Sequence, residues 1–265
     1  MAITTLDQYI AAASQRVQIL KTGSVTAVAL MNTQVLQAAG NPGAGTLAGA
    51  NTANGLVPTD ADAGFPAINA FGGGATGYIG NITFGNTVTS RITLFDCLFK
   101  AGAYAFNANT TLASQPSYSG RVIGGTDFTN TEIWIEAVTA FTGNQSIAVT
   151  YTNQSGTAAR TTGTIATGVA PIVGRMLQLP LQAGDTGVQK IESVVSTVST
   201  VGTFNVLVLR RLWSGRVPVA NSGDVHDFLK TGMPQIFADS ALMAIVQPDS
   251  TATGIFELVA EVING

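Results

Sequence analysis

The chain has 265 residues, of which 46% are hydrophobic and only 10% are charged, whereas a typical soluble domain has about 25% charged residues. This composition excludes a disordered chain, and a net charge of −3 without any basic cluster excludes binding to nucleic acid through its phosphates. One cysteine and one histidine exclude a disulfide within the chain and a Cys/His zinc site.

The shortage of charge is informative about the surface. A soluble monomer usually stays dispersed through its surface charges. This composition therefore favours a subunit whose surface is covered by other subunits, and the alternative is a β protein whose surface is covered by Thr, Ser, Asn and Gly. No apolar run reaches the roughly 20 residues of a membrane-spanning helix. The first 15 residues lack the basic and apolar regions of a signal peptide, so we expect assembly in the cytoplasm.

The N-terminus predicts a helix. Thr5 and Gln8 form a T-x-x-Q capping box, and Lys21 and Gly23 suit the helix end. Apolar residues follow at spacings of three and four, which is typical of one helical face: Leu6, Ile10, Ala13, Val17 and Leu20. We expect this stripe either to dock on a neighbouring subunit or to pack on its own domain.

Residues 40–80 are rich in Gly, Ala, Asn and Thr. Glycine loses the most backbone entropy on ordering, so such a segment does not hold itself rigid. We therefore predict an extended arm that lies across a partner and is mobile in the free subunit. The predicted division is a helix and arm in residues 1–80, followed by a β domain in residues 81–265 with a loop-rich extension and a closing strand.

The remainder predicts a mainly β fold, an antiparallel β-sandwich of the jelly-roll or Ig-like kind. Short alternating or apolar runs are separated by turn residues. Gly143-Asn144 predicts a hairpin between two of the runs, and Pro180 predicts an edge strand. The runs cover residues 81–95, 131–141, 146–152, 175–181, 188–198, 203–212 and 254–262.

No motif predicts catalysis. Residues 72–77 (GGGATG) match G-x-G-x-x-G. Dinucleotide binding needs a strand before this motif and a helix after it, and the sequence pattern predicts neither. His226 lies between Asp224 and Asp227, where a metal ligand or a general base is conceivable, yet no nucleophile motif accompanies it. Cys97 lies among apolar residues and is interpreted as a buried hydrophobe. We predict no catalytic, cofactor-binding or metal-binding residue.

Arginines surround one tryptophan near residue 213. Arg and Trp are favoured at interface hot spots, so Arg211, Trp213 and Arg216 are candidate interface residues, together with Leu6, Ile10, Val17 and Leu20 of the N-terminal stripe. The alternative is that the arginines end a strand and pack on a neighbouring loop.

The second half of the chain resembles tailed-bacteriophage virion proteins encoded near the capsid genes. The resemblance is in the general character of the sequence over residues 120–265 and is not a motif match. It is seen in stretches such as LQLPLQAGDTGVQKIESV and FNVLVLRRLWSGRVPVANSGDVHDFLKTGMPQIF, and it carries over no catalytic residue. It implies a non-enzymatic structural subunit located in the virion, of the capsid decoration or cement type. The implied partners are copies of the chain itself and the major capsid protein or another virion protein, with no cofactor, no direct nucleic acid and no membrane.

Three alternatives remain open at this point. One is a tail or head–tail connector component. Another is a host-glycan-binding sandwich that uses Trp134, Tyr151 or Trp213 as a stacking face. The last is a hydrolase that uses His226.

Overall fold

The computed structural model describes residues 3–46, 53–107, 109–168, 172–196 and 201–265. Within these ranges the helices are α1 (Leu6–Ala11) and α2 (Phe228–Thr231), with one 3-10 turn at Ser119–Arg121. The strands, in chain order, are β1 (Ala13–Lys21), β2 (Thr33–Gln34), β3 (Gly40–Asn41), β4 (Gly77–Asn86), β5 (Ser90–Ala105), β6 (Asn109–Thr111), β7 (Thr131–Thr139), β8 (Ser146–Asn153), β9 (Arg160–Thr161), β10 (Ile165–Ala166), β11 (Met176–Leu179), β12 (Val188–Ser196), β13 (Thr203–Val217), β14 (Ser222–His226), β15 (Gln235–Ile236), β16 (Leu242–Pro248) and β17 (Phe256–Asn264).

The strands form three antiparallel sheets. The terminal sheet has the order β14-β4-β17-β1-β3, with β15 also paired to β4. The central sheet has the order β11-β7-β13-β5-β16-β2, and the side sheet has the order β10-β8-β12-β6, with β9 also paired to β8. The predicted mainly β, antiparallel sandwich class is therefore confirmed.

The two long strands of the central sheet, β5 and β13, run past both of the other sheets. Leu94 of β5 belongs to a core shared with the terminal sheet, whereas Leu98 belongs to a core shared with the side sheet. On β13 the same change of partner occurs between Val208 and Leu212. The central sheet is thus one layer of two adjoining sandwiches.

The other face of the central sheet has its own apolar cover. Phe95, Trp134 and Leu207 lie in a third cluster with Leu36 and Phe65, which come from segments outside the strands of any sheet. Because both faces are covered, side chains on both faces of β7 are buried, including Ile135 on one face and Trp134 on the other.

The helix prediction is correct at its start and wrong in its length. The capping box of Thr5 and Gln8 is present, but α1 ends at Ala11 because Ala12 has the extended dihedrals φ −66° and ψ 141°. From Ala13 onward the chain pairs with β17 over nine residues. Pairing along a whole strand satisfies the backbone hydrogen-bonding groups and buries alternate side chains. This gain outweighs what a helix could bury with so few apolar residues on one face.

The predicted hairpin at Gly143-Asn144 is also wrong. β7 and β8 flank this turn, but β7 pairs with β11 and β13 while β8 pairs with β9, β10 and β12. The turn therefore carries the chain from one sheet to another. The prediction from Pro180 is confirmed, because β11 lies at the edge of the central sheet and ends at Leu179.

The described parts of the Gly-rich segment lie against the subunit itself. The Leu56 N–H donates to Lys100 O at 2.9 Å, and Gly55 (φ +73°) lies so close to Phe99 that a Cβ there would be 2.2 Å from the ring. Residues 47–52 of the predicted arm lie outside the described residues. β4 runs across residue 80, and the division of the chain into an arm and a separate β domain stays a prediction.

Candidate functional site

The short helix α1 exposes its apolar side chains. None of its residues is buried, and Leu6 and Ile10 are 58% and 72% exposed. Tyr9 holds the helix to the subunit, because its ring lies 5.1 Å from the ring of Phe228 and packs over Gly80. Burial, with the nearby carboxylates of Glu261 and Asp227, raises the pKa of Tyr9.

The second helix is linked to α1 by the contact of Phe228 with Tyr9, and it also exposes an apolar side chain. Asp227 caps α2 by accepting from the Lys230 N–H at 3.0 Å, and Gly232 ends it in the left-handed conformation (φ 69°). Leu229, next to Phe228, is 77% exposed. We call Leu6, Ile10 and Leu229 the helical apolar surface. Contiguous exposed apolar groups mark surfaces that bind a partner, and the contact between Tyr9 and Phe228 brings the two helices that carry these side chains together.

Val17 and Leu20 are not part of that surface. Both lie on β1, where Val17 is 2% exposed in the core under the terminal sheet, and Leu20 is half-buried on the opposite face of the strand. The four predicted stripe residues therefore do not share one face. Their role at an interface stays a prediction.

The Arg and Trp residues near position 213 also lie in different environments in the structure. Trp213 is 4% exposed, with its ring 4.7 Å from that of Phe84. Arg211 is exposed and pairs with Glu132 at 3.0 Å, whereas Arg216 is exposed on another part of the same strand. The structure does not bring the three side chains into one exposed patch, and their contact with a partner stays a prediction.

His226 is held in an aromatic cluster. Its Nδ1 accepts from the indole Nε1 of Trp213 at 3.0 Å, and the rings of Phe84 and Trp213 approach it edge-on at 5.0 and 5.4 Å. Its Nε2 is 3.5 Å from Asp224 Oδ2. One ring nitrogen is thus used in a structural hydrogen bond.

The remaining candidates from the sequence are mostly buried. Trp134, Tyr151 and Trp213 are 3%, 0% and 4% exposed, so they do not provide the stacking face expected of a glycan-binding sandwich. Burial raises the pKa of the Cys97 thiol to about 12, which agrees with its interpretation as a buried hydrophobe. The loop 72–76 is followed by β4 and not by a helix, as expected for a chance match.

A buried charge cluster around Asp96 was not predicted. Asp96 is fully buried where the two sandwich cores meet, and its carboxylate binds Arg121 and, at 3.2 Å, Arg210. It also accepts from the Ser240 hydroxyl at 2.8 Å and the Ala241 N–H at 3.1 Å. The signal in the sequence was a single carboxylate inside the apolar run TLFDCLF, which requires buried partners.

A second buried polar cluster lies on the opposite face of the central sheet. Glu136 is fully buried and binds Lys100 Nζ at 3.1 Å and Asn205 Nδ2 at 2.7 Å. Lys100 Nζ also donates to Thr46 O at 3.3 Å. The same kind of signal was present here, since Asn205 interrupts the apolar run FNVLVL and Lys100 ends an apolar run.

In the ranges that the structure describes, His, Cys, Asp and Glu side chains form no group of three or more that could hold a metal ion. Those ranges also contain no helix long and apolar enough to cross a membrane.

No family model matches the chain, and no curated protein sequence matches it. Among solved structures, the VP2 subviral particle of infectious bursal disease virus is 11% identical, with a TM-score of 0.23, over 95% of this chain and 79% of that chain. The T=1 particles derived from infectious bursal virus are 10% identical, with a TM-score of 0.19, over 95% of this chain and 76% of that chain. TM-scores of this size do not establish a common fold.

Proposed function

We propose that this chain is a structural subunit of a virion, and more specifically a capsid decoration or cement protein of a tailed bacteriophage. The helical apolar surface is the observation that carries the proposal. Leu6, Ile10 and Leu229 are each more than half exposed in a chain with only 10% charged residues. A subunit with this surface gains stability by burying it against neighbours, since contacts present only in the assembly favour the assembled state.

The proposed partners are copies of the chain itself and the major capsid protein. The resemblance of residues 120–265 to virion proteins encoded near capsid genes supports this choice over an unrelated oligomer. The proposed role is non-enzymatic and needs no cofactor, and the use of His226 in a hydrogen bond to Trp213 supports it.

Sedimentation of the purified chain over a range of concentrations tests the proposal. We expect concentration-dependent oligomers, and a shift toward monomer in a variant carrying Leu6→Ser and Ile10→Ser. Burying two such side chains is worth about 1.5–3 kcal/mol each, which corresponds to an association weaker by at least about a hundredfold. Because both side chains are exposed in the subunit, the melting temperature should not fall at concentrations where the wild-type chain is itself monomeric.

Val219→Ser is the matched control, because Val219 is 63% exposed but lies in the turn after β13. It should leave association unchanged. Co-sedimentation of the same variants with capsids that lack the protein tests the second partner. A wild-type chain that is monomeric at every concentration and does not bind capsids would contradict the proposal.

A further inference from the structure

Three polar side chains from three adjacent strands meet around one buried carboxylate oxygen. Lys100 lies on β5, Asn205 on β13 and Glu136 on β7, and β13 lies between the other two strands. Glu136 Oε2 accepts from Lys100 Nζ at 3.1 Å and from Asn205 Nδ2 at 2.7 Å. Since both nitrogens contact one oxygen, they are at most about 6 Å apart.

The strand register places the amine and the amide on one face of the sheet. Asn205 is paired with Glu136, and Lys100 is paired with Leu207, two residues along β13 from Asn205. Lys100 and Asn205 are therefore diagonal neighbours on adjacent strands. Gly102 leaves room for the amide against β5, because a Cβ there would be 2.1 Å from Asn205 Oδ1.

The group lies in the interior of the subunit. Lys100 is 6% exposed, and Glu136 and Asn205 are fully buried. Glu136 Oε1 is buried and has no hydrogen-bond partner in the part of the chain that the structure describes. The contact between Lys100 Nζ and Glu136 Oε2 at 3.1 Å places the ammonium within direct proton-transfer distance of this carboxylate.

From this arrangement we propose that Lys100 and Asn205 form an intramolecular amide bond, with Glu136 as the catalytic proton carrier. After Glu136 takes a proton from the ammonium, the neutral Nζ attacks Cγ of Asn205 and forms the new C–N bond. The Glu136 carboxyl group supports the amide oxygen as charge develops on it, and relays a proton from Nζ to Nδ2.

The step balances without any further reactant. The bond between Cγ and Nδ2 breaks, and Nδ2 leaves as ammonia. The five protons of the ammonium and the side-chain amide end as one on the new amide, three on ammonia and one on Glu136, which stays a neutral acid. No oxidant, reductant or metal takes part, and the bond covalently joins β5 to β13.

The direct test is mass spectrometry of the purified, denatured full chain. We expect an intact mass lower than the sequence mass by one ammonia, and a branched tryptic peptide that joins Lys100 to Asn205. Succinimide formation at Asn54-Gly55 or Asn264-Gly265 would also release ammonia. Mild alkali hydrolyses a succinimide but leaves an amide bond intact, so the treatment distinguishes the two.

Glu136→Gln preserves the size of the side chain and removes the proton acceptor. We therefore expect this variant to show the full mass of its own sequence, without loss of ammonia. Glu132→Gln is the matched control, because Glu132 lies on the same strand and binds the exposed Arg211; this variant should still lose ammonia. A wild-type chain with its full sequence mass and only linear peptides for Lys100 and Asn205 would overturn the proposal, as would a crosslink that persists in Glu136→Gln.

Discussion

Removing the charge of Asp96 should destabilise the subunit more than removing any surface charge. Asp96 is the countercharge for two arginines that are themselves 2% and 6% exposed, Arg121 and Arg210. Asp96→Asn keeps the shape of the side chain but leaves both guanidinium groups buried without a carboxylate. Breaking one buried pair costs about 3–5 kcal/mol, so we expect at least that loss here.

This loss is large compared with the whole stability of a domain, which is about 5–15 kcal/mol. Arg121 also donates to Pro58 O and Cys97 O, so disturbing it loosens the Gly-rich segment as well as the central sheet. Urea unfolding followed by circular dichroism measures the change in the free energy of unfolding. The slope of the unfolding free energy with urea concentration should be the same for the wild type and Asp96→Asn if both have the same fold.

Glu132→Gln serves as the control, because its partner Arg211 is 44% exposed at the side chain. An exposed pair contributes about 0–1 kcal/mol. Should Asp96→Asn prove too unstable to purify, Ser240→Ala removes a single hydrogen bond to the same carboxylate, at a cost of about 1.5–3 kcal/mol. If Asp96→Asn costs no more than Glu132→Gln, the reasoning about a buried, doubly paired carboxylate is refuted.

Two further predictions concern the side sheet and the Gly-rich segment. The hydrogen bond from Arg160, with others from Tyr151 and Asn153, holds the pKa of Asp185 at about 2, below its ordinary 3.8. The contribution of the ionised carboxylate to the stability of the fold is therefore complete above about pH 4 and is lost as the pH falls through about 2. Asp185→Asn should cost about 1 kcal/mol near neutral pH and nothing below pH 2, and urea midpoints that differ equally at both pH values would contradict this. In hydrogen exchange of the free subunit, the amides of Gly45 and Leu56 should be protected because they donate to Leu36 O and Lys100 O, whereas those of Gly72 and Gly73 should exchange quickly. Fast exchange at Leu56 would show that the segment detaches in the free subunit, as the arm mechanism requires.

The fold class could be predicted from the sequence because strand signals are local. Alternation at Phe256, Leu258, Ala260 and Val262 gave β17, and all four side chains are buried on one face. The capping box gave the start of α1 for the same reason. What could not be predicted was pairing between distant segments, since nothing local indicates that residues 13–21 lie beside β17.

The buried polar clusters show the same limit. Asp96 and Glu136 were visible as carboxylates in β-like runs, but their partners Arg121, Arg210 and Asn205 come from distant parts of the chain. Single residues could be singled out from the sequence, whereas the groups that they form depend on the order of strands in the central sheet. Two of the three residues of the helical apolar surface, Leu6 and Ile10, were named from the sequence, and Leu229 was not.

The pairing of β1 with β17 also has a consequence for how the chain is made. Gln18 Nε2 donates to Glu257 at 2.6 Å, across 239 positions of sequence. The centre of the terminal sheet therefore cannot close until residues 256–264 have left the ribosome. Until then β1 and β4 lack the strand that lies between them, and their apolar faces stay open. Non-local pairing of this kind slows folding and exposes strand edges to aggregation, so the yield of folded subunit should depend on synthesis rate and temperature.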